Sequence, residues 1–313
     1  MDKPRIFLSR CFCEAVRYNG GIVQDEFVER LKKFVDYELV CPEMEMGLGV
    51  PRPKIIVIKE NGNKRLYQPE TQRDLTQNIK KFIKDFVDNV DINEFDGFLL
   101  KSKSPSCGIT SANYYQNDKI VGRTDGFFAE GVKNHFPQLP AEHEGRLKNP
   151  ELREHFLIRI FAYAEFRNLQ ENFSADALVK FHTRYKYLLM TYSQKALKEM
   201  GKIVADGKSN LQEKLENYKN LFYGAFAKRP SRSKHFNTIL HIYGYFSKNL
   251  NEKEKRHFLN LLEKYKNGTG ALSTIIEMLK NFSYRFNNTY LLSQKYLEPF
   301  PEELMFADTL VRK

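Results

Sequence analysis

Apolar and polar positions along this chain follow two different rhythms. In the first 136 residues, short apolar runs are separated by turn signals. Arg5–Ser9 reads as a strand around Ile6-Phe7-Leu8, residues 37–41 as a second, and Phe98-Leu99-Leu100 as a buried third. Between the first two, Phe27, Val28, Leu31, Phe34 and Val35 recur at helical spacing over 25–36. Strand, helix and strand in such quick succession predict a right-handed parallel crossover. A β-branched strand follows at 54–59. Asn61-Gly62-Asn63 then makes a hairpin-type turn into 64–67. A helix capped by Thr71 or Asp74 runs to about Val90, with Leu75, Ile79, Phe82, Ile83 and Phe86 on one face. Short strands at 114–115 and 120–121 and a helix over 126–135 complete this half.

The rhythm changes after Pro137-Gln138-Leu139-Pro140 and the polar stretch to Pro150, which reads as a domain boundary. Segments 151–171, 174–205, 209–227, 231–249, 251–266 and 270–284 all carry helical spacing, and the tail 288–313 reads as short helices. The fold class predicted is an α/β domain over 1–140, Rossmann-like with a mostly parallel sheet, followed by an all-α domain over 141–313.

Composition narrows the class. A chain of 313 residues with 42% hydrophobic and 28% charged positions is ordinary for a globular protein with an ample core. No run of about 18 apolar residues exists to span a membrane as a helix. The start, Met1-Asp2-Lys3-Pro4-Arg5, enters a strand without a secretory h-region, which predicts a cytoplasmic protein. The net charge of +11 is uneven. Residues 1–140 hold 21 Lys and Arg against 20 Asp and Glu, whereas 141–313 hold 29 against 19. The helical half therefore carries the excess, a balance that favours a polyanionic partner.

Candidate chemistry gathers where strands end. Cys11 follows the first strand, Cys41 ends the second, and Lys101-Ser102-Lys103-Ser104-Pro105-Ser106-Cys107-Gly108 follows the third. Ligands of open α/β sheets bind beyond the carboxyl ends of the strands, so these cysteines can converge. In a reducing compartment, metal or catalytic chemistry is the better reading than stapling. Three thiolates do not complete a four-cysteine structural zinc site. They suit an iron–sulfur cubane with one open iron, and a three-cysteine catalytic zinc site stays open beside it. Cys13 could be a further ligand, although a single intervening residue strains ligation of one cluster. Glu43, two residues past Cys41, is a candidate general base, and Ser104 a proton donor or substrate-orienting group. Arg17, Arg52, Lys101 and Lys103 are candidates for holding an anionic substrate.

These motifs form a recognisable set. Ser9-x-Cys11, Val16-Arg17-Tyr18-Asn19-Gly20, Cys41-Pro42-Glu43, Gly47-Leu48-Gly49-Val50-Pro51-Arg52 and Lys101–Gly108 together resemble the thiouracil desulfidase family. Gly145-Arg146-Leu147, Leu152-Arg153-Glu154-x-Phe156, Phe181-His182-Thr183-Arg184-Tyr185-Lys186 and Leu188-Leu189-Met190 are similar to the YbgA-type helical domain found fused behind it. The resemblance implies a [4Fe-4S] cluster held by Cys11, Cys41 and Cys107, whose open iron takes the sulfur of a thiolated uracil base or nucleotide. Water then replaces that sulfur and hydrosulfide leaves, with no net redox change. The resemblance also implies catalytic roles for Glu43 and Ser104. Where the family has Leu and Gly after the first cysteine, this chain has Phe12-Cys13-Glu14, and the loop is one residue shorter.

The helical domain is given no firm activity by the resemblance. Its basic residues alternate with aromatics in Arg184-Tyr185-Lys186-Tyr187, in 219–229 and in 232–246. That pattern fits amphipathic helices with an aromatic core face. It also fits rings stacking on the bases of a thiolated RNA gripped by lysines and arginines, the alternative partner to a free thionucleobase. His182 and Arg184 could line a cleft or join an interior hydrogen-bond cluster.

Overall fold

The computed structural model describes residues 1–60, 62–207 and 210–305. Asn61 of the predicted hairpin turn, Ser209 at the start of the predicted helix 209–227, and 306–313 of the predicted tail lie outside the described residues. The chain forms two compact units, Met1–Arg167 with the described part of Phe300–Lys313, and Asn168–Pro299.

The first unit runs through β1 (Arg5–Ser9), α1 (Glu26–Leu31), β2 (Asp36–Val40), α2 (Pro42–Glu45), β3 (Ile56–Glu60), β4 (Asn63–Gln68) and β5 (Arg73–Asp74). It continues with α3 (Thr76–Asn89), β6 (Gly97–Leu100), β7 (Ala112–Gln116), β8 (Lys119–Thr124), α4 (Phe127–His135), β9 (Ala141–His143) and α5 (Pro150–Glu171). β1 is the hub of a four-stranded sheet of order β2-β1-β6-β9, all neighbours parallel. It pairs with β2 from Arg5↔Asp36 to Ser9↔Val40, and on its other edge with β6 from Ile6↔Gly97 to Leu8↔Leu99. The winding direction reverses between β1 and β6, which makes their carboxyl ends a topological switch point.

Both faces of this sheet are covered, which is why Ile6-Phe7-Leu8 and Phe98-Leu99-Leu100 read as unbroken apolar runs. Phe7 stands at the centre of the packing. Its ring lies 5.2 Å from Phe98 and meets Phe86 of α3 edge-on at 5.0 Å, and Phe86 in turn meets Phe128 of α4 edge-on at 5.1 Å. α3 begins at Thr76, where Asp74 accepts the Thr76 N–H at 2.9 Å, so Asp74 rather than Thr71 serves the helix start.

The predicted mostly parallel sheet is joined by a second one. β3 and β4 form the expected antiparallel hairpin, and β7 and β8 another. β3 pairs parallel with β7, which gives the order β5-β4-β3-β7-β8 over a core of Val57, Leu66, Leu75, Ile79, Ala112 and Phe127. The stretch read as a domain boundary instead supplies β9 at the edge of the first sheet, and the chain up to Arg167 stays with the first unit.

The second unit is helical: α6 (Ala175–Tyr192), α7 (Gln194–Ala205), α8 (Leu211–Ala225), α9 (Arg232–Tyr243), α10 (Glu252–Lys266), α11 (Leu272–Arg285) and α12 (Thr289–Leu292). The single segment predicted over 174–205 is two helices, because Ser193 ends α6 and its hydroxyl accepts the Ala196 N–H to start α7. Tyr185, Tyr187, Tyr218, Phe222, Phe226 and Phe246 are all buried, so most of the interleaved aromatics are core rings, whereas Tyr245 is exposed and Tyr223, Phe236 and Tyr243 are half-buried. His182 Nδ1 lies 3.1 Å from the Tyr218 hydroxyl, which places it in an interior hydrogen bond. No described helix is long and apolar enough to cross a membrane.

Phe7 is 1% exposed and touches rings from strand and helix alike. Truncation by Phe7→Ala is expected to cost about 3–5 kcal/mol in urea unfolding, the usual toll of a large ring removed from a close-packed core. A loss below about 1 kcal/mol would contradict the central place given to this ring.

Candidate metal centre and catalytic site

Three adjacent parallel strands end at the same edge, and each delivers a cysteine there. Cys11 sits in the single helical turn Arg10–Phe12 directly after β1, Cys41 is the residue between β2 and α2, and Cys107 lies in the loop after β6. None is in a disulfide. The thiols act on one another. Burial pushes Cys11 up to about 12, with Cys41 adding to the rise and Lys101 opposing it. Burial likewise holds Cys107 well above the ordinary value, with Cys41 and Cys11 both contributing, while a hydrogen bond with Ser9 works the other way. Cys41 is raised by burial and eased by the backbone N–H groups of Met44 and Glu43 and by the Arg52 charge.

The loop carrying Cys107 is fixed from several sides. Ser104 Oγ accepts the N–H of Ser106 at 3.2 Å and of Cys107 at 3.0 Å, and Ser104 O accepts the Gly108 N–H at 2.9 Å. The orphan N–H groups at the start of α4 are spent on the same loop, Phe127 on Pro105 O at 3.0 Å and Phe128 on Ser106 O at 2.9 Å. Gly126 makes this approach possible, since a Cβ there would fall 2.5 Å from the Ser106 carbonyl. Gly108 is equally constrained, because its Cβ would come within 2.7 Å of Ser104 O.

Glu43, on the first turn of α2, faces this loop. Its Oε1 accepts the hydroxyls of Ser104 at 3.4 Å and Ser106 at 3.2 Å. Its Oε2 accepts Arg52 Nε at 2.9 Å and Nη2 at 2.6 Å. Lys101 Nζ is paired with Glu144 Oε1 at 2.7 Å, and Glu144 Oε2 accepts the Ser102 N–H at 2.8 Å. Burial works against ionisation of Glu144, but the Lys101 and Ser102 hydrogen bonds outweigh it and hold its carboxyl below the usual range. Lys101 N donates to Ser9 Oγ at 3.0 Å, which ties the ends of β1 and β6 together.

The fold thus brings Cys11, Cys41, Cys107, Glu43, Ser104, Arg52 and Lys101 into one neighbourhood. Two basic candidates have other surroundings. Arg17 lies over the ring of Tyr18 at 5.8 Å, and Lys103 is exposed at a left-handed φ of 59°. Among the described residues neither makes a hydrogen bond or ion pair with the cysteines, Glu43 or Ser104. Cys13 faces Lys32 instead, with Nζ 4.0 Å from its sulfur. Glu144, Ser106 and Ser9 were not singled out from the sequence. The signal for Ser9 and Ser106 was their place in the cysteine motifs. Glu144 lay in a stretch read as linker.

The chemistry of the donor set, three soft thiols from neighbouring strand ends, is compatible with an iron–sulfur cluster. A cubane spreads its thiolates over separate irons. Three thiolates buried within each other's fields are costly without a compensating cation, and soft sulfur selects iron–sulfur clusters.

Parts of the chain are similar to known proteins. Residues 6–144 match the family model for 2-thiouracil desulfurase, and 186–301 match a family of unknown function, DUF1722. Among curated proteins, the uncharacterized protein YbgA of Escherichia coli (strain K12) is 28% identical over 148 residues, 46% of this chain and 88% of the relative. Among solved structures, a [4Fe-4S]-dependent thiouracil desulfidase, TudS, is 25% identical, with a TM-score of 0.39 over 48% of this chain and 96% of that one. The first unit is thus similar to the 2-thiouracil desulfurase family over residues 6–144, and the helical part to DUF1722 over 186–301.

In the metal-free protein, alkylation by iodoacetamide is expected to reach Cys13 first. The rates at Cys11 and Cys107 should keep climbing with pH beyond 9, the ordinary thiol value, because both are raised. Peptide mass spectrometry reads each site, and a Cys107 rate that levels off at an ordinary midpoint would contradict the buried, mutually coupled arrangement.

Proposed function

We propose that this protein is an iron–sulfur-dependent desulfidase acting on thiolated uracil, as free base or nucleotide. Carbon–sulfur and water O–H bonds break, a carbon–oxygen bond forms, and hydrosulfide and a proton leave, so no electron is gained or lost. The observation that carries this reading is the hydrogen-bonded pair of Glu43 and Ser104 on the edge where three neighbouring strands deliver Cys11, Cys41 and Cys107. A [4Fe-4S] cluster on those cysteines would supply a Lewis-acidic iron free of protein ligands, which draws charge from the carbon–sulfur bond.

The remaining work belongs to side chains. Glu43 Oε1 is the general base that takes a proton from the incoming water. Ser104 accepts two backbone N–H bonds, which orient its oxygen and leave its own hydrogen to be donated. That hydrogen goes to Glu43 at rest and to the substrate ring or sulfur during turnover. Burial of the loop by α4 keeps the hydroxyl aimed, so little reorganisation accompanies the proton transfer.

A second reading, thiolated RNA as substrate, is favoured by the charge of the helical unit. Asn168–Pro299 holds 22 Lys and Arg against 11 Asp and Glu. Along α10, Lys253, Arg256, Asn260 and Lys264 are exposed at helical spacing, while Glu252 and Glu263 are engaged by Lys255 and Lys266. A face of that kind suits a run of phosphates.

Anaerobically reconstituted protein is expected to release hydrosulfide from thiouracil or its monophosphate. Glu43→Gln and Ser104→Ala should each lower kcat by about 100-fold or more with iron content unchanged, the scale of a lost acid–base group. Full activity in either variant would remove the assigned role. If RNA is the substrate, affinity falls steeply between low and physiological salt, whereas turnover of the free base does not.

A further inference from the structure

Among the basic candidates, Arg52 has a special environment. It is 7% exposed, and its guanidinium is spent inside the protein. Nε and Nη2 both go to Glu43 Oε2, and Nη1 goes to Gly49 O at 2.7 Å with Met44 Sδ at 3.7 Å. Its own backbone N–H is held by Tyr18 O at 2.8 Å. Little of the fork is left to meet an incoming phosphate. We propose that Arg52 is a positioning residue for Glu43 and takes no part in binding the substrate's anionic group.

The geometry explains how it positions. Both Arg52 nitrogens converge on one carboxylate oxygen, Oε2, which leaves Oε1 for hydroxyls. Ser106, fully buried, fills one side of Oε1, and Ser104 approaches the other. The carboxylate is therefore gripped at three points and presents one oxygen beside Ser104. A lysine ammonium carries the same charge but cannot supply two fixed, coplanar N–H groups to one oxygen. Met44, Gly49 and Arg52 all belong to the turn following Cys41, so the grip on Glu43 is built by the segment that carries it. Of the basic residues first considered for substrate, Lys101 is likewise engaged, by Glu144, whereas Lys103 and Arg17 form no ion pair among the described residues.

This inference rests on the desulfidase reading only for the base role of Glu43, and the test separates the two. Arg52→Lys and Arg52→Gln are assayed as reconstituted full-length protein on thiouracil and on its nucleoside monophosphate in parallel. A positioning role predicts that kcat falls by about 10–100-fold on both substrates, with KM changed less than about 2-fold and iron content kept. A selective rise in KM for the monophosphate with kcat intact would overturn the proposal. A second readout needs no turnover. In metal-free protein Arg52→Gln should lower Tm by roughly 10 °C as it strands a buried carboxylate, and Glu43→Gln/Arg52→Gln should lose clearly less than the two single variants together. Additive losses would overturn the clamp. If wild-type protein releases no hydrosulfide from either substrate, the desulfidase reading falls while the melting cycle still decides the clamp.

Discussion

The pairing of β1 on both of its edges is the constraint from which the site follows. Backbone hydrogen bonds hold Arg5–Ser9 in parallel register with β2 on one side and β6 on the other. Parallel register makes all three strands end together, so residues separated by 30 and 66 positions in sequence, Cys11, Cys41 and Cys107, leave the sheet at one edge. The aromatic packing of Phe7 against Phe86 and Phe98 keeps the sheet in that arrangement, and the chemistry depends on the packing only through it.

Charge at this edge is balanced pair by pair, except for sulfur. Glu43 has Arg52 and Glu144 has Lys101, each partner within 3 Å. Ion pairs of this kind are strongly destabilised by losing one member, which makes them good fixtures for side chains that must not wander. The thiols are different. Burial raises all three, neighbouring thiols add to the rise at Cys11 and Cys107 and the Glu43 charge to that at Cys41, and Lys101, Arg52 and Ser9 offset only part of it. Deprotonated sulfur here calls for a further positive centre, which is what a metal cluster supplies.

Much of this was legible in the sequence. The β1 boundaries, the strand before Lys101 and the turn at Ser104-Pro105-Ser106-Cys107-Gly108 follow from short apolar runs and from Pro and Gly signals, which are local. The parallel pairing of β3 with β7 was not legible, because nothing local distinguishes a strand that joins one sheet from a strand that joins another. β9 was missed because three residues directly after Pro140 carry too little apolar signal to stand out, and Glu144 was lost with it. The division at Ser193 was hidden because helical spacing runs on through a cap. Arg52 was legible as a loop base but not as the partner of Glu43, since that contact depends on the path of the turn between them.

The central claim is that Cys11, Cys41 and Cys107, and not Cys13, hold an iron–sulfur cubane. Iron and acid-labile sulfide content after anaerobic reconstitution of wild type and of four single Cys→Ser variants tests it most directly. The predicted result is about four iron and four sulfide per chain for wild type and for Cys13→Ser, with loss of both in Cys11→Ser, Cys41→Ser and Cys107→Ser. Retention of a full cluster by any of those three, or its loss in Cys13→Ser alone, would contradict it.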